Sequence, residues 1–374
     1  MIENQVGGTG TGAIAFGSFT FSSVSSHESQ LVVPQVLIGS EGNRRWLTYL
    51  SFDTAKEVTV SAAMSALNAF LSNRPGDGLL TGATVVAGRM SENEYRSAVQ
   101  TSVQRIADGQ LKKIVLARDV LIELSSAIPT AQVLRRLARR YRHCWTYAVD
   151  GAIGSTPEML VQVDGNVARA RVLAGTLDRH NQQHLVESDK AYARRVLFGS
   201  EKQRYEHQLA VDSLTQSLSP YSKVMTSDCE PFVLELPNVW HLASDVTAQL
   251  NALNGPKPAR VPSSLELVAA LHPTAAVCGT PTEAADAAIH ELEQMDRGAY
   301  AGPVGWTDGI GNGEWGIALR GGLIESPASV RLFAGCGIVQ ASTPEEELAE
   351  SWSKLRPMLE ALGVPHERQI IRRR

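Results

Sequence analysis

The sequence predicts one α+β domain built around one or two large sheets, and three observations lead to this prediction. Strand-like runs alternate irregularly with helical patterns, so a regular β-α-β winding is not indicated. Several strands look antiparallel and are joined by turn dipeptides such as Asp150-Gly151 and Asp164-Gly165. Neither a repeat of about 20–50 residues nor a linker divides the 374 residues. We therefore predict a single domain over residues 1–374, with flexible ends at 1–12 and 366–374.

The first part of the chain holds short strands and two helices. Apolar and β-branched runs predict strands at residues 13–16, 19–21, 31–34 and 36–38. Apolar residues at helical spacing predict helices at residues 60–71 and 92–107. The run from Lys113 to Arg118 predicts a buried strand, and residues 130–142 predict a basic helix.

The rest of the chain continues the alternation. Strands are predicted at residues 145–149, 159–163 and 167–173, and the longest helical pattern covers residues 186–217. After a strand at 233–243, helices at 263–271 and 282–294 flank a small-residue loop from His272 to Pro281. Strands at 302–306, 314–320 and 330–335 precede a closing helix at 344–362.

Composition and charge exclude several classes of function. The net charge of −4 gives no basic field that would attract nucleic acid or a membrane surface, so we expect neither as a partner. No apolar run approaches the roughly 20 residues that span a bilayer, and the first residues do not resemble a signal peptide. Four separated cysteines form no CxxC pair, which argues against a zinc site or a disulfide framework. These features indicate a cytoplasmic protein with reduced thiols.

Acidic residues on two predicted helices form a candidate metal site. Glu347 and Glu350 are three residues apart, so their side chains leave one face of the closing helix. Two such carboxylates suit a hard cation such as Mg²⁺, and Glu206 on the long helix could add a third. The alternative for the first pair is an acidic first turn that complements the helix dipole, and for Glu206 a solvated helix face. Taken alone, each alternative is the better interpretation.

Two further residues are candidates for proton transfer. Lys113 opens a buried strand, where loss of hydration can lower the pKa of an amine toward the range of a general base. The commoner alternative is a lysine at a strand end that reaches out to water. Glu158 ends a predicted tight turn, Gly154 to Glu158, which would aim a carboxylic acid from the start of the next strand. The alternative here is a plain surface turn.

Small residues suggest where a ligand approaches the backbone. The loop from His272 to Pro281 carries little bulk, and Gly335-Cys336-Gly337 offers free amides beside Arg320, a pairing that suits a carboxylate. Turn geometry alone would also explain both segments. The GxSxG elbow, the P-loop and HExxH are all absent, which argues against covalent hydrolysis, nucleotide hydrolysis and zinc proteolysis.

The sequences of these segments, and their order along the chain, resemble those of a known family. The segments run in the order found in chorismate-using enzymes: KIVLAR, GSTPEML, RVLAGT, SEKQRYEHQL, VWHLAS, LHPTAAVCGTP, DRGAYAGPVGW, GNGEWGIALR, RLFAGCGIV and ELAESWSKL. That family contains isochorismate, salicylate, anthranilate and aminodeoxychorismate synthases. The resemblance is strong from about residue 90 to the end. It implies a single α+β domain with two large antiparallel sheets flanked by helices.

The resemblance also implies a role for each matching residue. Lys113 matches the general base that acts on water, and Glu158 matches the acid that protonates the departing C4 hydroxyl. The magnesium ligands are matched by Glu206 and Glu350, with Glu347 nearby. Positions that bind the enolpyruvyl carboxylate or line the site are matched by Tyr300, Arg320, Gly335, Gly175, His241 and Lys354. The implied reaction is attack of water at C2 of chorismate with loss of the C4 hydroxyl, which gives isochorismate.

Two positions favour the isochorismate synthase branch of the family. The lysine of KIVLAR goes with water as nucleophile, and Ala276 stands where salicylate synthases carry threonine. Salicylate synthase, which also eliminates pyruvate, remains an alternative, as does an aminodeoxychorismate- or anthranilate-type synthase. Gln203 departs from the family pattern, in which an aspartate is usual. Relatives of this type are often monomers, and isochorismate serves menaquinone, siderophore and salicylate formation alike.

Overall fold

Nine strands of the described chain form one antiparallel sheet. The computed structural model describes residues 6–51, 53, 58–72, 80, 82–179, 189–227, 230–252 and 260–364. The strands lie in the order β11-β13-β10-β9-β16-β15-β1-β2, and β12 also pairs with β13. Their bounds are β1 (Ile14–Ser18), β2 (Gln30–Val32), β9 (Met159–Asp164), β10 (Val167–Asp178), β11 (Ser222–Ser227), β12 (Phe232–Glu235), β13 (Val239–Leu250), β15 (Pro303–Asp308) and β16 (Gly313–Ile317).

A second antiparallel sheet has seven strands within the same described ranges. Its order is β14-β6-β18-β17-β8-β7, and β5 also pairs with β6. The bounds are β5 (Thr84–Ala87), β6 (Lys113–Glu123), β7 (Trp145–Val149), β8 (Ala152–Thr156), β14 (Gly279–Thr280), β17 (Gly321–Ser326) and β18 (Ser329–Ile338). A separate hairpin joins β3 (Val36–Glu41) and β4 (Arg44–Tyr49). The two large antiparallel sheets and the α+β class are therefore confirmed.

Helices lie against these sheets, and local sequence explains several of their ends. Their bounds are α1 (Val60–Ser72), α2 (Glu92–Ala107), α3 (Thr130–Arg140), α4 (Asp189–Gly199), α5 (Glu201–Leu218), α6 (Ser264–Leu271), α7 (Thr282–Glu293) and α8 (Pro344–Ala361). Ser91 and Glu94 form a capping box that starts α2, and Ser263 and Glu266 do the same for α6. Thr343 caps α8, with Pro344 at its first position.

Buried apolar residues of the two sheets belong to one core. The largest cluster combines Leu116 of β6 and Phe333 of β18 with Val161 of β9 and Val172 of β10. A second cluster lies on the other side of the seven-stranded sheet, where α8 packs against β18 and α3 packs against β7, β8 and α8. Burial of apolar surface on both sides of β6 explains the two apolar runs in its sequence, residues 114–117 and 120–122, which Arg118 and Asp119 separate.

The prediction of one continuous helix over residues 186–217 is wrong. The described chain has two helices there, α4 and α5, separated at Ser200. Ser200 adopts an extended conformation, and its side chain accepts a hydrogen bond from the backbone N–H of Gln203. A serine in this role starts a new helix and interrupts the preceding one. Residues 186–188 lie outside the described ranges.

One predicted strand is divided in the structure, and another is shorter than predicted. The run 233–243 folds back on itself, because Pro237 cannot donate to a sheet and the N–H of Leu236 bonds the carbonyl of Val239 at 2.9 Å. The run 314–320 ends as a strand at Ile317, and the chain then crosses to the other sheet. Arg320 lies in that crossing with a φ of 50°, so it does not end a strand as predicted.

The predicted tight turn from Gly154 to Glu158 is also wrong. Gly154 to Thr156 belong to β8, which pairs with β7 across the Asp150-Gly151 turn and with β17 on its other side. Only Pro157 and Glu158 connect β8 to β9. Phe19 to Phe21 are not a strand, and β4, β5, β8, β11, β14 and β17 were not predicted.

Two further predictions concern the flexibility of the chain ends and the lack of a membrane-spanning segment. Residues 1–5 and 365–374 lie outside the described chain, and flexibility at 1–12 and 366–374 stays a prediction. Among the described helices, none combines the length and apolar character that crossing a bilayer requires.

Candidate active site

A cavity lies between the two sheets. Leu173 and His241 of the nine-stranded sheet line it on one side, and Val115 and Gly335 of the seven-stranded sheet on the other. Nine of the twelve predicted site residues line this cavity, namely Glu158, Gly175, Glu206, His241, Ala276, Tyr300, Arg320, Gly335 and Lys354. The other three, Lys113, Glu347 and Glu350, make ion pairs around it.

Lys113 is fully buried at the first residue of β6. Its amine nitrogen lies 3.3 Å from a carboxylate oxygen of Glu206, and its side chain is 0% exposed. Among the described residues the amine has no hydrogen-bond partner that meets ordinary geometry. Gly337 makes this approach possible, because a Cβ there would lie only 1.9 Å from the same Glu206 oxygen. Lys113 is therefore an inward-facing amine, and the alternative of a lysine reaching out to water does not apply.

Glu158 projects into the cavity from the short connection between β8 and β9. The residue is only 6% exposed. Burial raises the pKa of Glu158 to about 7, although the charges of Lys113, Arg320 and Lys354 oppose this rise. A carboxylic acid with such a pKa holds its proton near neutral pH and can donate it to a leaving group.

The carboxylates of α8 lie close together beside the cavity. Ligand atoms of Cys336, Glu347 and Glu350 all lie within 4.8 Å of one another. Glu347 pairs with Lys202 of α5 at 2.8 Å, and Glu350 pairs with Lys354 at 2.6 Å. Burial and the neighbouring Glu350 raise the pKa of Glu347 to about 7. Burial also raises the pKa of Glu350, but the charges of Lys354, Lys202 and Arg320 and the hydrogen bond from Lys354 together hold that pKa below its ordinary value.

Glu206 stands apart from this pair. It does not belong to the group of ligand atoms within 4.8 Å, because its carboxylate is turned toward Lys113. Lys202 and Glu206 are four residues apart on α5, so both side chains leave the same helical face toward the site. Three carboxylates thus border one region, and each lies beside a lysine side chain: Glu206 beside Lys113, Glu347 beside Lys202 and Glu350 beside Lys354. Oxygen donors of this kind fit a hard divalent cation.

Arg320 and His241 form a cationic wall of the cavity. A guanidinium nitrogen of Arg320 lies 2.9 Å from Nε2 of His241, which must accept because guanidinium only donates. Nδ1 of His241 then carries the proton and donates to the carbonyl of Gly175 at 3.3 Å or to Thr176 at 3.2 Å. Burial, with the charge of Arg320, holds the pKa of His241 well below its ordinary value. The neutral ring therefore orients Arg320 without adding charge.

Gly175 lies at a bulge that Gln203 stabilises. The pairing of β10 with β13 shifts register between Ala174 and Thr176, and Gly175 has a φ of 81°. The side-chain oxygen of Gln203 accepts from the N–H of Thr176 at 2.9 Å, and a Cβ at Gly175 would meet that oxygen at 2.9 Å. Gln203, which departs from the family pattern, thus supports the backbone of the site and does not itself line the cavity.

The far wall combines an aromatic ring, an amine and close backbone. Lys354 donates to the carbonyl of Gly335 at 2.9 Å, and a Cβ at Gly335 would lie 3.1 Å from the Tyr300 hydroxyl. The Tyr300 ring stacks on Phe333 with centroids 5.1 Å apart, and burial raises the pKa of Tyr300 to about 12. Tyr300 therefore remains a neutral hydrogen-bond donor. Ala276 completes the wall from the loop after α6.

Sequence reasoning missed two residues that shape the site. Lys202 was not singled out, because its partner Glu347 lies on a helix 145 residues away. Arg297 lines the cavity and pairs with Glu293 of α7 at 2.5 Å. Arg297 also donates to the carbonyls of Val277 and Val115, so it joins the loop after α6 to β6. The quoted segment DRGAYAGPVGW contains this arginine, but no spacing distinguishes it from a surface residue.

Comparison with known proteins agrees with this architecture. Residues 1–363 match the family described as chorismate binding enzyme. The chain belongs to the chorismate binding enzyme family. It is 38% identical over 284 residues to isochorismate synthase DhbC of Bacillus subtilis, covering 73% of this chain and 68% of the relative. It is 30% identical over 377 residues to isochorismate synthase MenF of the same organism, covering 96% of this chain and 77% of the relative.

A solved structure shows the same fold in this family. A crystal structure from Bacillus anthracis, described as a 2,3-dihydroxybenzoate-specific isochorismate synthase, DhbC, superposes with a TM-score of 0.72. The two sequences are 32% identical, and the match covers 94% of this chain and 84% of the other. The predicted family is thereby confirmed.

Proposed function

We propose that this chain is an isochorismate synthase that converts chorismate to isochorismate and requires Mg²⁺. The observation that carries the proposal is the shared cavity, where the acid Glu158 stands beside a buried Lys113–Glu206 pair. Relatives at 30% and 38% identity are named isochorismate synthases. An isomerase of this kind exchanges one hydroxyl for another and needs only proton transfer and charge stabilisation.

The residues of the cavity divide the work of this reaction. Lys113 takes a proton from water as the water attacks C2 of the ring. Glu158 gives its proton to the C4 hydroxyl, which leaves as water, so no free hydroxide forms. Arg320, Tyr300 and the Gly335 amide bind the enolpyruvyl carboxylate, and a guanidinium suits a carboxylate because it offers paired donors. Binding at both carboxylates fixes the ring between base and acid.

The metal belongs beside the ring carboxylate. Glu350, Glu347 and Glu206 would hold Mg²⁺, directly or through water, because hard cations take oxygen ligands and keep several waters. A bound divalent cation supplies positive charge that neutralises and orients the ring carboxylate. Lys202, Lys113 and Lys354 must give up their pairing with these carboxylates, at least in part, when the cation binds.

A second function within the family would be salicylate synthase. That activity adds elimination of pyruvate to the same first step. Ala276 favours arrest at isochorismate, because salicylate synthases carry threonine where this cavity has a methyl group. An aminodeoxychorismate- or anthranilate-type synthase would use ammonia in place of water.

We further propose a cytoplasmic monomer whose only substrate partner is chorismate, with no role in binding nucleic acid. The pathway is one of those that begin with isochorismate, such as menaquinone or siderophore formation. The test is to incubate purified protein with chorismate and Mg²⁺ and to separate the products by chromatography. Isochorismate as the main product supports the proposal. Stoichiometric pyruvate would indicate a salicylate synthase, and products that need ammonium would indicate an amino-transferring enzyme.

A further inference from the structure

A second cleft opens on the surface next to the active-site cavity. One side is the C-terminal end of α3 and the residues after it, with Arg139, Arg140, Arg142 and His143. The other side is Arg179, directly after β10, and Glu235 at the end of β12. The reaction proposed above uses none of these residues.

The cleft is positively charged, although the whole chain has a negative net charge. Residues 130–143 contain five arginines and no acidic residue, whereas the whole chain has a net charge of −4. The rest of the chain therefore carries −4 − 5 = −9. Arg139 and Arg140 lie in the last turn of α3, where they complement the helix dipole. Arg142 lies beyond the helix end, so the dipole does not account for it.

Two of the arginines have no carboxylate partner within the described ranges. Arg140 pairs with Glu360 at 3.3 Å, and Arg179 pairs with Glu235 at 2.9 Å. In contrast, Arg139 and Arg142 are exposed, and the side chain of Arg142 donates only to the backbone carbonyl of Arg139. These two guanidinium groups leave the cleft with uncompensated positive charge.

The cleft and the cavity share the ends of two strands. Thr176 lines the cavity, and Arg179 is three residues farther along the same chain, about 10 Å at the rise of a strand. The N–H of Arg179 bonds the carbonyl of Asn238 at 3.1 Å, three residues before His241 of the cavity wall. Tyr141 lies between the cleft arginines in the sequence, and the charge of Arg320 in the cavity wall acts on its hydroxyl. The cleft is thus a neighbour of the cavity.

We propose that the arginine cleft, defined by Arg139, Arg142, His143 and Arg179, is a positively charged surface that attracts a small dicarboxylate to the active site. This inference rests on the proposed function, because chorismate carries two carboxylates. Uncompensated charges beside a site raise the local concentration of an oppositely charged ligand. The cleft charges act at a distance on the approaching and on the bound substrate, so they change its capture and its affinity and leave the chemical step unchanged.

Salt concentration separates this long-range attraction from direct contact. The Debye length is about 30 Å at 0.01 M ionic strength and about 8 Å at 0.15 M. Charges that do not touch the substrate are therefore effective at low salt and largely screened at physiological salt. An arginine that touches the substrate in the closed cavity would keep its effect at both concentrations.

The test compares two double variants with the same change of net charge. Arg139→Gln/Arg142→Gln removes the two uncompensated cleft charges. Arg44→Gln/Arg45→Gln is the matched control, because these exposed neighbours lie on the β3–β4 hairpin and bond backbone carbonyls. For each protein we would measure kcat, KM and the calorimetric Kd of chorismate at about 0.01 M and 0.2 M ionic strength.

The cleft variant should raise KM and Kd about three- to tenfold at low salt, with kcat unchanged and with less than twofold effect at high salt. The hairpin control should match the wild type at both salt concentrations. Equal behaviour of the two double variants would overturn the proposal, whether the cleft then serves an acidic protein or nothing at all. If the wild type shows no turnover, the isochorismate synthase proposal fails, and the Kd of chorismate still decides for or against the cleft.

Discussion

The amine of Lys113 and the carboxylate of Glu206 lie 3.3 Å apart at the centre of the protein, on elements that are 93 residues apart in sequence. Lys113 opens β6 of one sheet, and Glu206 projects from α5, which packs on β10 of the other. The pair joins the proposed base to one of the three proposed metal ligands. The charge state of the proposed base Lys113 therefore affects both the proposed acid Glu158 and the proposed metal ligand Glu206.

Substitution of Lys113 should stop turnover without unfolding the protein. Lys113→Met keeps the length and burial of the side chain but removes the amine, so kcat should fall by about 10²- to 10⁴-fold. Lys112→Met is the matched control, because that neighbour is exposed. Circular dichroism should show native secondary structure in both variants. A Lys113→Met enzyme with half the activity of the wild type would remove Lys113 from the mechanism.

The pH dependence of kcat/KM should report Glu158. Its pKa is raised to about 7, so the carboxyl is protonated at pH 6 and ionised at pH 8. A group that must donate a proton loses activity as pH rises through its pKa, and kcat/KM should fall toward a tenfold decrease per unit above about pH 7. Glu158→Gln should lower kcat by about 10²- to 10⁴-fold at every pH. A constant rate between pH 6 and 9 in the wild type would contradict this role.

Removal of a carboxylate on α8 should weaken magnesium binding. Glu350→Gln and Glu347→Gln each delete a charged oxygen ligand, and calorimetry should show at least a roughly tenfold higher Kd for Mg²⁺. Glu346→Gln is the control, because Glu346 is exposed on the same turn of the helix. Chelation with EDTA should stop turnover in the wild type, and added Mg²⁺ should restore it. Full activity in metal-free buffer would rule out the metal requirement.

The buried pair of Glu293 and Arg297 should matter for stability. Glu293 accepts from Arg297 and from the N–H of Ala117 at 2.7 Å, and both side chains are almost fully buried. Glu293→Gln leaves Arg297 without its charge partner, which should lower the free energy of unfolding by about 3–5 kcal/mol. Urea denaturation measures this change.

The same helix supplies a matched control for that measurement. Glu291 pairs with Arg105 at the same 2.5 Å distance but on the surface. Exposed pairs contribute little because water and salt screen them, so Glu291→Gln should leave the denaturation midpoint unchanged. An equal effect of both substitutions would show that burial does not control the strength of these pairs.

Local pattern predicted the fold class, but it could not predict which strands pair. The alternation of apolar residues and turn dipeptides indicated the strands at 145–149 and 159–163, and the structure has both as β7 and β9. The pairing of β1 with β15 joins residues about 290 positions apart, and packing of the whole chain decides such pairs. Ser200 was read as part of a helix, because a capping serine and a helical serine look alike without the neighbouring backbone.

The site could be assembled from the sequence only with the help of the family resemblance. Helical spacing alone put Glu347 and Glu350 on one face, and their ligand atoms do lie close together. The left-handed backbone of Arg320 has no signal in the residues around it, because non-glycine residues seldom adopt this conformation. Lys202 became visible only when α5 and α8 were seen side by side.

The central claim is that water attacks C2 of chorismate while the C4 hydroxyl leaves, and an isotope measurement tests it most directly. The purified protein would convert chorismate in oxygen-18 water with Mg²⁺, and mass spectrometry would locate the label in isochorismate at low conversion. The account predicts one labelled oxygen per product molecule, in the C2 hydroxyl. Unlabelled isochorismate would mean that the original hydroxyl migrates within the substrate, and the assignment of Lys113 as a base acting on water would be wrong.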